Sequence, residues 1–246
     1  MSDLTLRQLA DDIRANARPL VVLVVVALVM VLNHYMFDPA RYETFRGPTD
    51  DPLARFWWWT GGLLVIWVLV PMLVCFGFGM PLHEQGLDST GLAPKLWIYA
   101  VLYALAMLPV TWAAMQPAFI DQYPLLRRFG ERDIGTRMLV NYWSLYAMQF
   151  ICVEYFFRGF MISALRPRFG LGAVAIMIAP YTMLHFQKPL PEALGAIVAG
   201  LVLGYLAYRT RSIWGGVLVH IAVAISMDVL VMLQQPEGLP DGLRWW

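Results

Sequence analysis

The sequence predicts an all-α bundle of transmembrane helices, with about seven spans and a range of roughly six to eight. Hydrophobic residues make up 59% of the 246 residues and charged residues 14%. Soluble domains average about 45–50% and about 25% respectively. The mean hydropathy is +0.59, and long apolar runs recur along the chain. This composition excludes an intrinsically disordered chain and argues against a soluble globular enzyme.

The charge balance indicates which partners the chain can have. Eighteen Lys and Arg residues oppose seventeen Asp and Glu residues, so no basic patch for a nucleic acid is predicted. The expected partner of such a chain is the lipid bilayer. Cys75 and Cys152 both lie in apolar runs, which predicts small buried hydrophobes rather than a disulfide framework.

The N-terminal segment 1–18 is polar but carries Leu6, Leu9 and Ile13 at helical spacing. This pattern predicts a short amphipathic helix on the membrane surface. An apolar run from Pro19 to about Phe37 follows. It has no small-residue cleavage site after it, so we interpret it as a retained first span rather than a signal peptide.

The rest of the chain is predicted to be one membrane domain followed by a tail. Within the domain, the segment 19–137 contains the N-terminal helices and 138–234 contains the helices with candidate site residues. The tail is 235–246. Two of the predicted spans, 171–186 and 191–208, are shorter than the roughly 20 residues that a straight crossing needs, so tilted or partly re-entrant helices are expected there. Aromatic residues at 56–59 and 245–246 are typical of a membrane interface. After the first span, the six other predicted spans are 56–80, 96–115, 138–163, 171–186, 191–208 and 212–234.

Ionisable residues inside the predicted spans mark the candidate site, because each costs about 2.5–3.5 kcal/mol at the centre of a membrane helix. Glu154 and Arg158 are four residues apart and share one helix face, so they can form an ion pair. His185 ends the fifth predicted span. The seventh carries His220, with Asp228 two turns later.

A carboxylate and two imidazoles from three spans can hold and deprotonate a water molecule inside a membrane. The same residues, Glu154, His185 and His220, could alternatively bind Zn²⁺ or another divalent metal. Other intramembrane protease motifs are absent from the sequence. His83-Glu84 is not followed by a second His, and neither a GxGD nor a GxSG motif occurs.

At these residues the chain resembles the CPBP family of intramembrane proteases, also called the Abi or CAAX-protease-and-bacteriocin-processing family. The family pattern is EExxxR, then FxxxH, then HxxxN or HxxxD. Glu154 and the sequence Phe157-Arg158-Gly159 match the first motif, Tyr181 to His185 matches the second with Tyr for Phe, and His220 matches the third. The resemblance covers about residues 138–234.

The resemblance implies an integral multi-pass endopeptidase of a bacterial plasma membrane, whose partner is a protein or peptide substrate at the membrane, with no cofactor besides the metal ion considered above. Glu154 would activate water together with His185, His220 would stabilise the oxyanion or share the metal, and Arg158 would hold the Glu154 carboxylate. Glu192 and Asp228 would support the site.

Two departures from the family pattern leave other functions open. Val153 occupies the place of the first Glu, which the family is taken to use in catalysis, and Ala224 replaces the Asn. A catalytically inactive family member, serving as a membrane scaffold or an immunity-type partner, is therefore the first alternative. The second is a small ion-coupled transporter, because buried Glu, His and Arg residues also mark ion pathways.

Overall fold

The computed structural model describes residues 5–129, 134–235 and 238–240. Within them the chain is almost entirely helical, and one isolated β-bridge joins Leu87 to Ser212. Short helical segments connect the longer helices at Pro39–Arg41, Tyr42–Arg46, Leu82–Gln85, Pro117–Ile120 and Leu125–Phe129. The main helices are α1 (Leu6–Ala15), α2 (Ala17–Phe37), α3 (Pro52–Gly77), α4 (Ala93–Ala114), α5 (Thr136–Phe169), α6 (Gly172–Met183), α7 (Leu190–Thr210) and α8 (Trp214–Met232).

Six of these helices, α2 to α5, α7 and α8, are long and apolar enough to cross a membrane, and α6 is a shorter apolar helix of 12 residues. The predicted polytopic helical bundle is thus confirmed. The chain is an integral multi-pass membrane protein. The fifth predicted span corresponds to α6 and is short, as expected. The helix ends at Met183, and a turn carries the chain to His185.

The amphipathic segment at the N-terminus forms α1. Its first turn is closed by a capping box, in which the Gln8 backbone N–H donates to the Thr5 hydroxyl and the Gln8 side chain accepts from the Thr5 backbone N–H. Leu6, Leu9 and Ile13 are all exposed, which leaves an apolar stripe without a protein partner among the described residues. Its placement on the membrane surface stays a prediction, and residues 1–4 of the segment lie outside the described residues.

Helix α5 is the centre of the bundle. In its most apolar window 78% of the residues are buried, compared with 11% in α4. It contacts α2, α3, α6, α7 and α8, and both apolar clusters of the core include its side chains. Its buried polar side chains, Gln149, Glu154 and Arg158, are therefore enclosed by the surrounding helices.

Gly200 and Gly204 form a GxxxG pair on α7, which lets this helix approach α6 closely. A Cβ atom at Gly204 would lie 2.8 Å from Met177 Cε and 2.9 Å from Val174 Cγ1 on α6, and one at Gly200 would lie 3.1 Å from the Tyr181 ring. Small residues at these two positions therefore leave the room that the side chains of α6 occupy. The tail 235–246 is described only at Gln235 and at residues 238–240, so the predicted Trp245-Trp246 belt lies outside the described residues.

Replacing Gly204 by Leu should destabilise the bundle by about 1–3 kcal/mol, because the added side chain cannot fit between α7 and α6. Unfolding in mixed micelles, titrated with a denaturing detergent, measures the change. Gly195→Leu is the matched control on the same helix, since Gly195 is exposed and a Cβ atom added there would meet no atom within 4 Å. Equal costs for the two variants would contradict the packing argument.

Candidate active site

Glu154 lies in the middle of α5, directly before a stretch of π-helix, Tyr155–Ile162. Single π-turns inside α-helices are frequent at functional sites. The Glu154 carboxylate is paired with Arg158 at 3.2 Å between Oε1 and Nη1, and both side chains are buried, with 1% and 0% exposure. The predicted ion pair therefore lies in the protein interior rather than on its surface. A charge buried this deeply requires a partner.

Arg158 is in turn held by Tyr181 on α6. The guanidinium carbon lies 4.0 Å from the centroid of the Tyr181 ring, a cation–π contact that gains strength when it is shielded from water. The ring also contacts Phe157, 5.3 Å away between centroids, and the backbone of α7 at Gly200. The Tyr of the second motif therefore supports the Arg of the first.

His220 on α8 completes the centre. Its Nδ1 lies 3.0 Å from Oε1 of Glu154, and its ring packs on Phe150 at 4.3 Å between centroids. The His220 side chain is 18% exposed, whereas that of Glu154 is 1% exposed. Gly216, one turn before His220, gives the carboxylate its space, because a Cβ atom there would lie 2.5 Å from Glu154 Oε2.

His185 lies in the turn that follows α6 and is half-buried. Its Nδ1 is 3.1 Å from the backbone carbonyl oxygen of Tyr181, and its ring lies 5.0 Å from the Tyr181 ring. Tyr181 thus contacts both Arg158 and His185, which places the second motif next to the first.

Glu192 belongs to a separate group of polar side chains at the edge of the bundle, together with Tyr123 and Lys188. Tyr123 donates its hydroxyl to the Glu192 carboxylate at 2.7–2.8 Å. Lys188 lies 3.6 Å from Glu192 Oε1 and donates to the Tyr123 hydroxyl oxygen at 2.7 Å. Burial lowers the pKa of Lys188 and raises that of Tyr123 well above its usual value. The backbone N–H of Lys188 also donates to the His185 carbonyl at 3.0 Å, so this group steadies the turn that carries His185.

Asp228 is fully buried and accepts a hydrogen bond from the Trp143 indole at 3.0 Å. Trp143 precedes Glu154 by eleven residues on α5, a separation of about 16 Å along a helix axis. The Asp228 carboxylate therefore lies toward the other end of α5 from the Glu154 carboxylate. Of the predicted site residues, the structure brings Glu154, Arg158 and His220 into direct contact, adds His185 through Tyr181, and places Asp228 apart.

The described residues do not fit the predicted metal ion in this arrangement. A catalytic zinc site has three protein ligands and an open position, and no three His, Cys, Asp or Glu side chains of the described part of the chain are grouped closely enough to share an ion. The Arg158 cation also occupies the side of the Glu154 carboxylate at Oε1. The arrangement therefore offers a carboxylate and imidazoles to a reaction rather than a set of metal ligands.

The two departures from the family pattern are both packed in apolar surroundings. Val153 is 2% exposed and belongs to the larger apolar cluster, while Ala224 on α8 is 9% exposed. The carboxylate that faces α8 is thus the one at position 154. Several contacts of the site had no signal in the sequence, because their residues come from distant segments or lack charge: Phe150, Gly216, Tyr123 and Trp143.

These features define a helical membrane protein with a buried carboxylate, guanidinium and imidazole centre. Residues 135–226 match the family model described as "Type II CAAX prenyl endopeptidase Rce1-like". This segment, which contains Glu154, Arg158, His185 and His220, is thus similar to the CPBP/CAAX protease family, as its motifs indicated. Neither a comparison with curated proteins nor one with solved structures finds a match to the chain.

Replacing Arg158 by Met should cost about 3–5 kcal/mol of folding free energy, because it leaves the Glu154 carboxylate buried without its cation. The double variant Arg158→Met with Glu154→Gln should recover part of this loss, since the uncompensated charge is gone. Detergent-titrated unfolding measures both. Arg168→Met, at an exposed position of the same helix, should have little effect. A cost for Arg158→Met no larger than that of the control would contradict a structural ion pair.

Proposed function

We propose that the chain is an intramembrane endopeptidase that hydrolyses a peptide bond near the membrane face. The observation that supports this most directly is the hydrogen bond between Glu154 and His220, in a segment that matches a protease family. A carboxylate that orients an imidazole is a recurrent arrangement for general base catalysis. The substrate is a protein or peptide at the membrane, and prenylated CAAX proteins are one class of such substrates.

The geometry favours His220 as the general base and Glu154 as the residue that orients it. A carboxylate only accepts hydrogen bonds, so Nδ1 of His220 carries the hydrogen and Nε2 keeps the free lone pair. The imidazole is also the more exposed of the two groups, at 18% against 1%. This division of roles differs from the one that the family resemblance implied, in which Glu154 activates the water.

The reaction then proceeds in two proton transfers. Nε2 of His220 takes a proton from a water molecule while the water oxygen attacks the scissile carbonyl carbon. As the tetrahedral intermediate collapses, the carbon–nitrogen bond breaks and the imidazolium returns its proton to the departing amine nitrogen. Throughout, Glu154 stabilises the imidazolium, and Arg158 keeps the carboxylate ionised and in place.

His185 is suited to hold the same water. Its Nδ1 faces the Tyr181 carbonyl, which can only accept, so in the neutral imidazole the proton lies on Nδ1 and Nε2 is an acceptor. A water molecule has two hydrogens, one of which is transferred to His220. His185 Nε2 accepts the other, which orients the oxygen lone pair toward the substrate.

The inactive alternative is favoured by one observation, the burial of Val153 in the apolar core where the family has its first Glu. In that case the Glu154, Arg158 and His220 contacts serve only to hold α5 and α8 together, and the protein acts as a membrane scaffold or an immunity-type partner. Its location in a bacterial plasma membrane is a prediction under either proposal.

Glu154→Gln should lower kcat by about 10³- to 10⁴-fold, because an amide no longer holds His220 in the required tautomer. His220→Gln should have a loss of the same order, and the double variant should be no worse than either single one. Cleavage of a library of fluorogenic peptides in proteoliposomes measures this. Glu84→Gln, at an exposed position, is the control. Full activity in Glu154→Gln would contradict the proposed mechanism.

Val153→Glu separates the enzyme from the inactive alternative in the same assay. If the chain is active as it stands, adding a carboxylate to the apolar cluster should reduce both stability and cleavage. Cleavage that arises only in Val153→Glu, and not in Val153→Gln, would support the inactive alternative instead.

A further inference from the structure

Residues 80–87, which we call the Gln85 loop, lie outside the segment that matches the protease family. Gln85 is fully buried. Its amide nitrogen donates to the Met80 carbonyl at 2.9 Å, and its amide oxygen accepts a 2.6 Å hydrogen bond from the Tyr155 hydroxyl. Tyr155 is the residue directly after Glu154 and the first of the π-helical stretch. A loop between α3 and α4 therefore contacts the part of α5 that carries the candidate site.

The loop backbone also packs directly on the backbone of that stretch. A Cβ atom at Gly159 would lie 2.7 Å from the carbonyl oxygen of Gln85, and one at Gly86 would lie 3.0 Å from Gly159 Cα. The first distance is shorter than real Cβ contacts show, and the second is at the lower limit of such contacts. The position of the loop relative to the π-helical stretch is therefore fixed by direct backbone packing.

The other side of the loop is bonded to the start of α8. The backbone N–H of Ile213 donates to the Gly86 carbonyl at 2.9 Å, and the Trp214 indole donates to the Leu87 carbonyl at 2.9 Å. Helix α8 begins at Trp214 and carries Gly216 and His220. The Gln85 loop thus joins the two helices whose side chains form the Glu154–His220 hydrogen bond.

We infer that Gln85 is a positioning residue for the Glu154–His220 pair, which acts through its hydrogen bond with Tyr155. The Glu154–His220 contact requires that α5 and α8 keep one relative position, and the loop supplies the fixed connection between them. The polar atoms of the Gln85 side chain are both engaged by this connection. The consequence for catalysis rests on the proposed function, whereas the effect on the Glu154–His220 hydrogen bond itself does not.

The test compares Tyr155→Phe, Gln85→Leu and their combination with the control Glu84→Gln, an exposed neighbour in the same loop. The first readout is the His220 Nδ1–H proton, followed by NMR of protein labelled with ¹⁵N-histidine and assigned with a His220→Gln variant. Both single variants should weaken this hydrogen-bonded signal, and the control should not. The second readout is peptide cleavage, where kcat should fall about 10- to 100-fold with little change in KM. The double variant should match the single ones, because both remove one hydrogen bond.

The outcomes distinguish a failure of the positioning role of Gln85 from a failure of the proposed endopeptidase function. An unchanged Nδ1–H signal in Tyr155→Phe and Gln85→Leu would overturn the positioning role, whatever the cleavage rates. A weakened signal in a protein without cleavage supports the positioning role and counts against the proposed function. If Gln85→Leu does not fold, Tyr155→Phe still decides the question, since it removes only one hydroxyl and keeps the ring.

Discussion

The structure depends on one constraint, which is that the Glu154 carboxylate is buried at the centre of a membrane bundle. A charge in such a position is costly unless it is paired and hydrogen-bonded. Arg158 supplies the opposite charge at 3.2 Å, and Tyr181 covers its guanidinium from α6. The Tyr181 ring in turn packs closely on α7 at Gly200, where a Cβ atom would lie 3.1 Å from it. Together with His220 on α8, one carboxylate therefore determines what three neighbouring helices must present to α5.

Much of this arrangement could be predicted from the sequence, because its elements are local. The apolar runs indicated the helical bundle and the short fifth span, and the four-residue spacing indicated the Glu154–Arg158 pair. The motif order placed His185 and His220 near the pair. The first two predictions depend on composition, helical periodicity and short spacings, which a single chain displays directly. The placement of the two histidines depends on the resemblance to the family pattern.

The rest could not be predicted, because it depends on how distant segments meet. Nothing in the sequence links Tyr123 to Glu192 or Gln85 to Tyr155, since the members of each pair are 69 and 70 residues apart. The separate roles of Glu154 and His220 in the candidate site could not be predicted either. Whether Glu154 or His220 can reach a water molecule depends on their relative exposure, and that is decided by the packing of α8 on α5.

The central claim is that Glu154 and His220 are hydrogen-bonded inside the membrane. The most direct measurement is a solid-state NMR dipolar-coupling experiment in lipid bilayers, on protein with ¹³C in glutamate side-chain carboxyls and ¹⁵N in histidine side chains. With His220 assigned by substitution, strong dephasing between its Nδ1 and the Glu154 carboxyl carbon is expected from the 3.0 Å contact. The absence of this coupling, with Glu154 paired to Arg158 alone and the His220 ring turned away, would contradict the account.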